Sequence, residues 1–296
     1  MTRTERIIQN AGIQYSCDVD ISHLCTIGVS ARAAIVASPK TADGLARLAS
    51  ALYAGGIPYR VVGGMSNLLP STTLYRGVLI LTRGINKKSI ENMTVIAECG
   101  ATNSSIVNLL MQNGLGGLEQ LYHIPGTLGG AIRGNSGAFG LEISDVFESA
   151  TVYLPNINET KTFQKNEMQF GYRTSVIKTN GGIVLSAVLR AIPRVASVTM
   201  AEIAHLSGLR RSQPRGARTL GSTFKRVNGK SAGYYIDSCG LKGVGVGGAV
   251  VSELHAGFII NRGGATPNDV LTLIDLIKNR VYTQFGILLE EEIDYL

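Results

Sequence analysis

Apolar residues recur every three or four positions in two long stretches of the chain. From Thr41 to Tyr53 this spacing predicts a helix that Thr41 caps and that Gly55 and Gly56 end. A second helix is predicted after Thr266, where a threonine cap, a proline and an early acidic residue begin it and Gly286 ends it. Its apolar face comprises Val270, Leu273, Ile274, Ile277 and Val281.

Shorter apolar runs predict strands bounded by turn-forming residues. They cover Ile57 to Val62, Gly77 to Thr82, Thr94 to Cys99, Thr151 to Leu154, and Ile183 to Ile192. Two more helices are predicted, from Ser104 to Gln112 and from Met200 to Arg211. Because strands and helices follow one another without a repeating strand-helix-strand order, we predict an α+β fold.

Glycine content adds a feature that the apolar pattern lacks. The chain has 36 glycines in 296 residues, well above the average of roughly 7%, and six of them lie in IPGTLGGAIRGNSGAFG, from Ile124 to Gly140. Glycine loses more backbone entropy on folding than other residues, so such a cluster needs a reason. Close approach of backbone N–H groups to a phosphate or a flat ring is one. A surface loop without a ligand is the alternative, although the interspersed apolar residues indicate a packed loop.

A second glycine turn follows the strand predicted to end at residue 62. The turn comprises Gly63, Gly64, Met65, Ser66 and Asn67, and its glycines and small polar residues suit a phosphate turn. Taken alone this signal is weak. No G-x-G-x-x-G turn with an acidic residue about twenty positions later occurs, so the sequence does not predict a Rossmann-type cofactor site.

Charge and cysteine content limit the classes of function that the sequence favours. The net charge of +7 is compatible with nucleic-acid binding, but the basic residues are scattered rather than aligned on one helix, and we predict no nucleic-acid partner. The densest basic group suits an anionic small molecule at least as well; it comprises Arg210, Arg211, Arg215, Arg218, Lys225 and Arg226. The four cysteines have neither zinc-ligand nor disulfide spacing, and we predict no metal. The four histidines are isolated in the sequence, and we interpret them as structural.

The N-terminal residues MTRTERIIQNAG lack the apolar segment of a signal peptide. No apolar run approaches the length of a membrane span. We therefore predict a cytoplasmic protein without membrane insertion. The sequence carries no indication of an oligomeric state.

Three groups of polar side chains are suited to chemistry. Arg173 stands between Tyr172 and two hydroxyl residues, and the planar fork of an arginine suits a carboxylate; an exposed surface arginine is the alternative. Ser222 lacks the G-x-S-x-G turn of a hydrolase, so it is either a donor to an anionic substrate or a turn residue. The run from Glu290 to Glu292 is usually a solvated feature, although alternation in a terminal strand would place its outer two side chains on one face.

Together these segments resemble the UDP-N-acetylenolpyruvoylglucosamine reductase family, and in length its shorter, type II-like subgroup. The similarity spans nearly the whole chain. The matching segments are Gly63 to Leu69, Leu115 to Asp145, Phe170 to Ser175, Gln213 to Pro214, Gly221 to Arg226, Ala232 to Gly233, Leu241 to Gly243, Val251 to Ser252 with His255, Phe258 to Asn261, Ala265 to Thr266, and Gly286 to Ile293.

The resemblance implies three domains. Residues 1–75 and 76–193 would hold FAD in the manner of the vanillyl-alcohol oxidase (PCMH-type) flavoproteins. Residues 194–286 would bind the substrate, and the tail 287–296 would pack near the first domain. The implied flavin contacts are Gly63, Gly64, Ser66, Asn67, Pro125, Gly126, Gly129, Gly130, Asn135, Gly137 and Ala138.

The resemblance also implies the activity. NADPH would reduce the flavin, and the enolpyruvyl ether of the sugar nucleotide would take hydride from flavin N5 at its β-carbon, which gives UDP-N-acetylmuramate for peptidoglycan. Arg173 would stabilise charge on the substrate carboxylate. Glu292 would act as a protonated hydrogen-bond donor, and Ser222 would protonate the α-carbon. The implied substrate contacts are Tyr172, Lys225 and Arg226.

Three positions depart from the family pattern. Met65 replaces a usual glycine, Gly28 stands alone where two glycines are common, and Arg226 replaces a frequent asparagine, although the shorter subgroup has arginine there. Two rival readings stay open. One is a flavin oxidase, for which His123 is a candidate point of covalent flavin attachment. The other, motivated by Met65, is a flavin- or nucleotide-sugar-binding protein without turnover.

Overall fold

A computed structural model describes all 296 residues. The helices are α1 (Arg3–Asn10), α2 (Ala42–Ala54), α3 (Asn103–Gln112), α4 (Leu128–Arg133), α5 (Ile143–Val146), α6 (Val176–Asn180), α7 (Ala196–Leu209), α8 (Ala232–Ser238) and α9 (Pro267–Phe285). Short 3₁₀ turns cover Glu119–Leu121, Lys165–Met168 and Arg210–Ser212.

The strands are mostly short and lie between these helices. They are β1 (Tyr15–Asp20), β2 (Arg32–Ala37), β3 (Tyr59–Val62), β4 (Leu68–Leu69), β5 (Leu74–Leu81), β6 (Lys88–Glu91), β7 (Thr94–Glu98), β8 (Leu115–Gly116), β9 (Gly137–Ala138), β10 (Leu141–Glu142), β11 (Phe147–Leu154), β12 (Glu159–Gln164), β13 (Ile183–Arg190), β14 (Ile192–Pro193), β15 (Arg218–Ser222), β16 (Gly245–Val246), β17 (Ala249–Val251), β18 (Phe258–Asn261) and β19 (Asp294–Tyr295).

Antiparallel pairing dominates the sheets. The largest sheet has five antiparallel strands in the order β12-β11-β13-β7-β6. A four-stranded sheet has the order β1-β2-β5-β3, in which β3 and β5 are parallel. A second four-stranded sheet is antiparallel in the order β15-β18-β17-β16. Mixed helices and antiparallel sheets make this an α+β protein, which confirms the predicted class.

The chain forms two units, each built from three segments. The first unit comprises Met1–Cys17, Ile35–Gly64 and Gly77–Gly208. It contains the five-stranded sheet and one continuous apolar core, in which Leu48, Ile80 and Leu189 are fully buried. The second unit comprises Asp18–Ala34, Met65–Arg76 and Leu209–Leu296. It contains the sheet of β15 to β18 together with α8 and α9. The division into three domains stays a prediction.

The two helices with the strongest sequence patterns form as predicted. At the start of α2 the Thr41 hydroxyl accepts the Gly44 N–H at 3.0 Å. At the start of α9, Thr266 and Asp269 form a reciprocal capping box, and the backbone N–H of Thr266 lowers the pKa of the Asp269 carboxyl. Gly286 ends α9 with a φ of 66°, a conformation that glycine adopts without strain. All five residues of the predicted apolar face of α9 are buried.

The start of α7 was predicted too late. The sequence pattern begins at Met200, but the helix begins at Ala196. The intervening residues include Val198 and Thr199, whose branched side chains disfavour helix. Thr199 is nevertheless fully buried, and its hydroxyl donates to a carboxylate oxygen of Glu119 at 3.2 Å. A contact with a residue distant in the sequence therefore overrides the local propensity.

Two further findings concern membranes and thiols. None of the helices combines the length and the apolar character that crossing a bilayer requires. All four cysteines are free thiols, and burial raises the pKa of Cys99 to about 12. Cys99 therefore stays protonated and unreactive at neutral pH.

The Thr266 cap can be tested by substitution. Thr266→Ala removes the acceptor of the Asp269 N–H and should lower the free energy of unfolding by about 1 kcal/mol. Thr266→Ser keeps the hydroxyl and should stay near the wild-type value. Urea denaturation followed by circular dichroism measures both variants. Equal stability of the alanine and serine variants would show that the hydrogen bond contributes nothing.

Candidate active site

The two glycine-rich segments of the sequence touch each other within the first unit. A Cβ atom on Gly63 would lie 2.0 Å from the Thr127 Oγ1, and one on Gly64 would lie 2.9 Å from the Gly126 Cα. Neither distance is possible for a real side chain. The turn after β3 therefore packs tightly on the loop before α4, with Gly63 against the Thr127 side chain and Gly64 against the Gly126 backbone, and neither position has room for a Cβ atom.

The two glycines of α4 have different surroundings. A Cβ on Gly129 would lie 3.1 Å from the Cys99 Cβ, and the Gly129 N–H already donates to the Cys99 carbonyl at 2.9 Å. Packing inside the protein therefore explains Gly129. A Cβ on Gly130 would meet nothing nearer than the Thr127 Oγ1 at 3.9 Å, and Gly130 is exposed with no positive φ. Glycine costs about 1 kcal/mol in a helix relative to alanine, and packing inside the protein does not explain Gly130, whose open face leaves room for close approach of a ligand.

Asn135 joins α4 to two neighbouring segments. Its side chain is buried, and its φ of 42° is unusual for a residue other than glycine. The Nδ2 donates to the Glu142 carboxylate at 2.7 Å and to the Gly171 carbonyl at 3.0 Å. The Oδ1 accepts the Ser144 N–H at 3.1 Å. Because its side chain is engaged with the protein itself, Asn135 acts at least in part by holding the segment that carries Arg173.

Arg173 lies in a tight turn with a left-handed backbone conformation. The turn is closed by two hydrogen bonds between Gly171 and Thr174, and Arg173 has a φ of 57°. Its guanidinium donates to the Gly137 carbonyl at 3.1 Å and lies 4.0 Å from the Glu142 carboxylate. The side chain is only 23% exposed, so Arg173 is not the solvated surface arginine that was the alternative. A held arginine in a strained turn is typical of a functional position.

In the second unit, a bulge directs Ser222. The pairing of β15 with β18 shifts register between Thr219 and Ser222, and Gly221 has a φ of 83° there. A β-bulge changes the direction of the side chain that follows it, and bulges are common beside active sites. Ser222 itself pairs with Phe258 and is half-buried. Since the bulge requires a glycine at position 221, the Gly-Ser pair has a structural reason.

The C-terminal tail runs beside Ser222 in the same unit. The Glu292 N–H donates to the carbonyl of Thr223 at 2.9 Å, and the Asn67 Nδ2 donates to the Glu292 carbonyl at 3.0 Å. The Asp294 N–H donates in turn to the Asn67 carbonyl at 2.9 Å. These bonds fix the backbone of Glu292 between the residue after Ser222 and the Asn67 turn. Two predicted catalytic residues are thus brought close together in the backbone.

The three consecutive glutamates have different surroundings. The Glu290 carboxylate forms an ion pair with Lys225 and is 71% exposed. The Glu291 carboxylate pairs with Lys278 of α9 at 2.8 Å and accepts the Tyr295 hydroxyl at 2.8 Å. Burial and this carboxylate raise the pKa of Tyr295. The composition alone favours one solvated charge cluster. The run does not form one.

The predicted substrate contacts lie at the protein surface. Tyr172 is 44% exposed, and its ring lies 5.1 Å from the Arg173 guanidinium carbon. Lys225 is the partner of Glu290. Arg226 is exposed and donates to the Gly229 carbonyl at 3.1 Å. The Lys225 side chain is 24% exposed and the Glu290 side chain 71% exposed, so this ion pair lies partly in solvent, where such pairs contribute little energy.

The backbone conformation at position 65 explains why this position favours glycine. Its φ is 48°, in the left-handed region that costs a side-chain-bearing residue about 1 kcal/mol or more. Its side chain is only 4% exposed. Burial of a methionine stabilises a protein by about 1.5–3 kcal/mol, which offsets the strain. A side chain covered by the protein does not fill open space on the glycine turn, so Met65 gives no reason to exclude cofactor binding.

His123 has a structural partner. Its Nε2 lies 3.2 Å from the carbonyl of Ile203 in α7, and its ring packs edge to face against Tyr122. The contact links the loop before the glycine run to α7. This engagement of Nε2 weakens the case for His123 as a point of flavin attachment.

The glycine turns, the α+β fold and the held arginine define a flavoprotein. Residues 33–157 match the family model described as an FAD binding domain, and residues 213–296 match the C-terminal domain of UDP-N-acetylenolpyruvoylglucosamine reductase. The chain belongs to the UDP-N-acetylenolpyruvoylglucosamine reductase family, which confirms the resemblance in the sequence.

Relatives named as this reductase cover almost the whole chain. The protein of Caldicellulosiruptor bescii is 38% identical over 99% of this chain and 94% of its own. That of Alkaliphilus oremlandii is 41% identical over 88% of this chain and 86% of its own. The crystal structure of the reductase from Thermus caldophilus superimposes with a TM-score of 0.81 at 30% identity, over 96% of this chain and 98% of that one. These comparisons also confirm the predicted flavoprotein fold.

The residues present fit FAD. The open face of Gly130 offers room for close approach of a ligand to the backbone. Near it, the Oδ1 of Asn103 is buried and accepts no hydrogen bond within the protein, while the Asn103 Nδ2 donates to the Ile124 carbonyl at 3.1 Å. A buried acceptor of this kind is satisfied by a ligand hydroxyl or an ordered water. Which individual residues contact the flavin stays a prediction.

Sequence reasoning missed two residues that support the site. Glu142 holds both Asn135 and Arg173, and Asn103 lies against the glycine run with a free acceptor. Glu142 lies within a segment that matched the family, but nothing local distinguishes it from other surface carboxylates. The only signal for Asn103 is a polar residue in the first turn of a predicted helix, which usually indicates a cap.

The role of Gly130 can be separated from its effect on stability. Gly130→Ala should leave the flavin-free protein as stable or up to about 1 kcal/mol more stable, because alanine favours helix. The added methyl group should weaken FAD binding by about tenfold or more, since it fills space that the ligand needs. Gly208→Ala in α7 is the matched control, because Gly208 is also a helical glycine and a Cβ there would meet nothing within 4 Å.

Titration of flavin-stripped protein with FAD, together with thermal unfolding of the stripped protein, gives both quantities. Gly208→Ala should bind FAD like the wild type. If Gly130→Ala also retains wild-type affinity, no ligand approaches that face of α4.

Proposed function

We propose that this protein is the FAD-dependent UDP-N-acetylmuramate dehydrogenase, which uses NADPH to reduce UDP-N-acetylenolpyruvoylglucosamine. The full-length relationship to the named reductases carries this proposal, since the FAD binding domain and the reductase C-terminal domain occur in one chain. The product serves peptidoglycan synthesis, and through it cell-wall biogenesis, cell shape and cell division. Its substrates are charged small molecules that do not cross membranes unaided, which favours action in the cytoplasm.

The proposed role of Arg173 follows from how it is held. When bound, FAD accepts hydride from NADPH and supplies it to the enolpyruvyl β-carbon. Negative charge then develops on the substrate carboxylate. The Gly137 carbonyl, 3.1 Å from the Arg173 guanidinium, and the Glu142 carboxylate, 4.0 Å from it, orient this group. A half-buried, pre-oriented guanidinium binds a carboxylate through two hydrogen bonds and stabilises the added charge without reorganisation.

The proposed role of Ser222 is proton donation to the α-carbon. Hydride adds at the β-carbon, so the adjacent carbon needs a proton to complete the reduction. A serine hydroxyl is a weak acid, but a carbanion-like carbon is basic enough to take its proton. The hydroxyl then regains a proton from solvent before the next turnover. The bulge at Gly221 and the hydrogen bond from Thr223 to Gly257 hold the backbone on both sides of Ser222.

Glu292 is proposed to assist as a neutral hydrogen-bond donor. Its backbone forms hydrogen bonds with Thr223 and Asn67, which hold it beside the residue that follows Ser222. A carboxylate beside developing negative charge would repel it, so Glu292 helps directly only in its protonated form. The proposed substrate contacts are Tyr172, Lys225 and Arg226, of which the two cations suit the diphosphate.

The activity has a direct test. The purified protein should be yellow, should lose its colour anaerobically with NADPH, and should regain it on addition of UDP-N-acetylenolpyruvoylglucosamine. A protein that binds no FAD would refute the proposal. A protein that is reduced but not reoxidised by this substrate would also refute it. Either result would favour a flavin- or nucleotide-sugar-binding protein without turnover. Reoxidation by oxygen with turnover of another substrate would instead favour an oxidase.

Ser222→Ala should separate the two half-reactions. Reduction of the flavin by NADPH should stay near the wild-type rate, because no proton from Ser222 is needed. Reoxidation by the enolpyruvyl substrate should slow by about 100-fold or more, the usual range for loss of a general acid. Stopped-flow absorbance measures both rates. Ser222→Cys keeps a proton donor of similar size and should retain more of the second rate than alanine. Equal losses in both halves would rule out proton donation.

A further inference from the structure

The ring of His255 is fitted between two glycines of the second unit. A Cβ on Gly233 or on Gly257 would lie 2.9 Å from the His255 Cε1, so the ring has this place only because both positions lack a side chain. The ring also packs edge to face against Phe258, with 4.9 Å between ring centroids. Gly233 belongs to the first turn of α8. The ring is thus fixed from several sides.

One ring nitrogen accepts a backbone hydrogen bond. The Gly257 N–H donates to the His255 Nδ1 at 3.0 Å. The same turn is closed by the Phe258 N–H, which donates to the His255 carbonyl at 3.0 Å. An accepting Nδ1 carries no proton, so the ring in this arrangement is neutral with its proton on Nε2.

The glycine held by His255 in turn holds the peptide next to Ser222. The Gly257 carbonyl accepts the Thr223 N–H at 2.9 Å, and the Thr223 carbonyl accepts the Glu292 N–H at 2.9 Å. Both peptide groups that meet at Gly257 therefore carry a specific hydrogen bond, one to the histidine and one toward Ser222. Because a glycine backbone rotates more freely than any other, the histidine contact limits where the Gly257 carbonyl points.

We infer that His255 is a positioning residue for Ser222: its neutral imidazole anchors Gly257, whose carbonyl anchors the peptide that follows the serine. The inference rests on the proton-donor role proposed above for Ser222. If Nδ1 carried a proton, it could not accept the Gly257 N–H, and the hydrogen bond that anchors Gly257 would be lost.

The surroundings keep the ring neutral at physiological pH. Burial lowers the pKa of His255 below its usual value of 6.5. A hydrogen bond to its own backbone opposes this effect, Lys242 lowers the pKa further, and Asp237 raises it. Lys242 and Asp237 pair with each other at 2.7 Å, so their opposing effects partly cancel. The ring therefore accepts from Gly257 at pH 7 and gains a proton only in the acidic range.

Two substitutions of equal shape test the anchor. Asn places its Oδ1 where the histidine has Nδ1 and accepts an N–H two residues later, as in an Asx turn. Leu has the same branching and accepts nothing. In the holoenzyme, His255→Leu should slow reoxidation of the flavin by UDP-N-acetylenolpyruvoylglucosamine by about tenfold or more. Reduction by NADPH should stay within about twofold of wild type in both variants. His255→Asn should retain most of the reoxidation rate.

Amide hydrogen exchange gives a readout that does not depend on activity. The Gly257 and Thr223 amides should exchange faster in His255→Leu than in wild type and His255→Asn, while the amides of α9 exchange alike in all three. A pH series adds a second criterion. The wild-type reoxidation rate should fall on the acid side of pH 6.5, and this fall should be missing in His255→Asn, which has no titrating group at that position.

Each contrary result has a defined meaning. If His255→Asn is as slow as His255→Leu, or if His255→Leu slows both half-reactions equally, the inference fails. Unchanged exchange at Thr223 in His255→Leu refutes the anchor even if the rates change. If Ser222→Ala reoxidises at the wild-type rate, the proton-donor role fails instead, and the exchange data alone then decide whether His255 holds Gly257.

Discussion

Close contact between the turn after β3 and the loop before α4, which leaves no room for a Cβ atom at Gly63 or Gly64, is the constraint on which the first unit depends. Gly63 and Gly64 lie against Gly126 and Thr127 at distances that no Cβ atom permits. The turn after β3 and the loop before α4 therefore form one surface, although more than sixty residues separate them in the chain. From the end of α4, Asn135 extends the same framework to the Arg173 turn. The two glycine segments and the Arg173 turn thus share one support.

The second unit uses backbone hydrogen bonds for a similar purpose. A continuous series runs from Asn67 through Glu292 and Thr223 to Gly257 and the ring of His255. It joins four segments that are far apart in the sequence, one of which is the C-terminal tail. Each bond contributes only about 1 kcal/mol to stability. Their value lies in orientation, because a small displacement of a catalytic group costs far more in rate than in stability.

Electrostatic balance distinguishes the site from the surface. Arg173 is oriented by the Gly137 carbonyl and by the Glu142 carboxylate. Among the glutamates of the tail, Glu290 and Glu291 are neutralised by lysines.

Local patterns in the chain were enough to predict the helices α2 and α9, the α+β class and the two glycine segments. Caps, apolar periodicity and glycine clusters involve only a few neighbouring residues. The family motifs also pointed to Arg173, Ser222 and Glu292. Long-range contacts decided the rest. The early start of α7 depends on Glu119, the strained Arg173 turn on Asn135, and the place of His255 on the absence of side chains at Gly233 and Gly257. Apart from the contact of His255 with Gly257, these contacts join residues more than twenty positions apart, and no local pattern encodes which of them will meet.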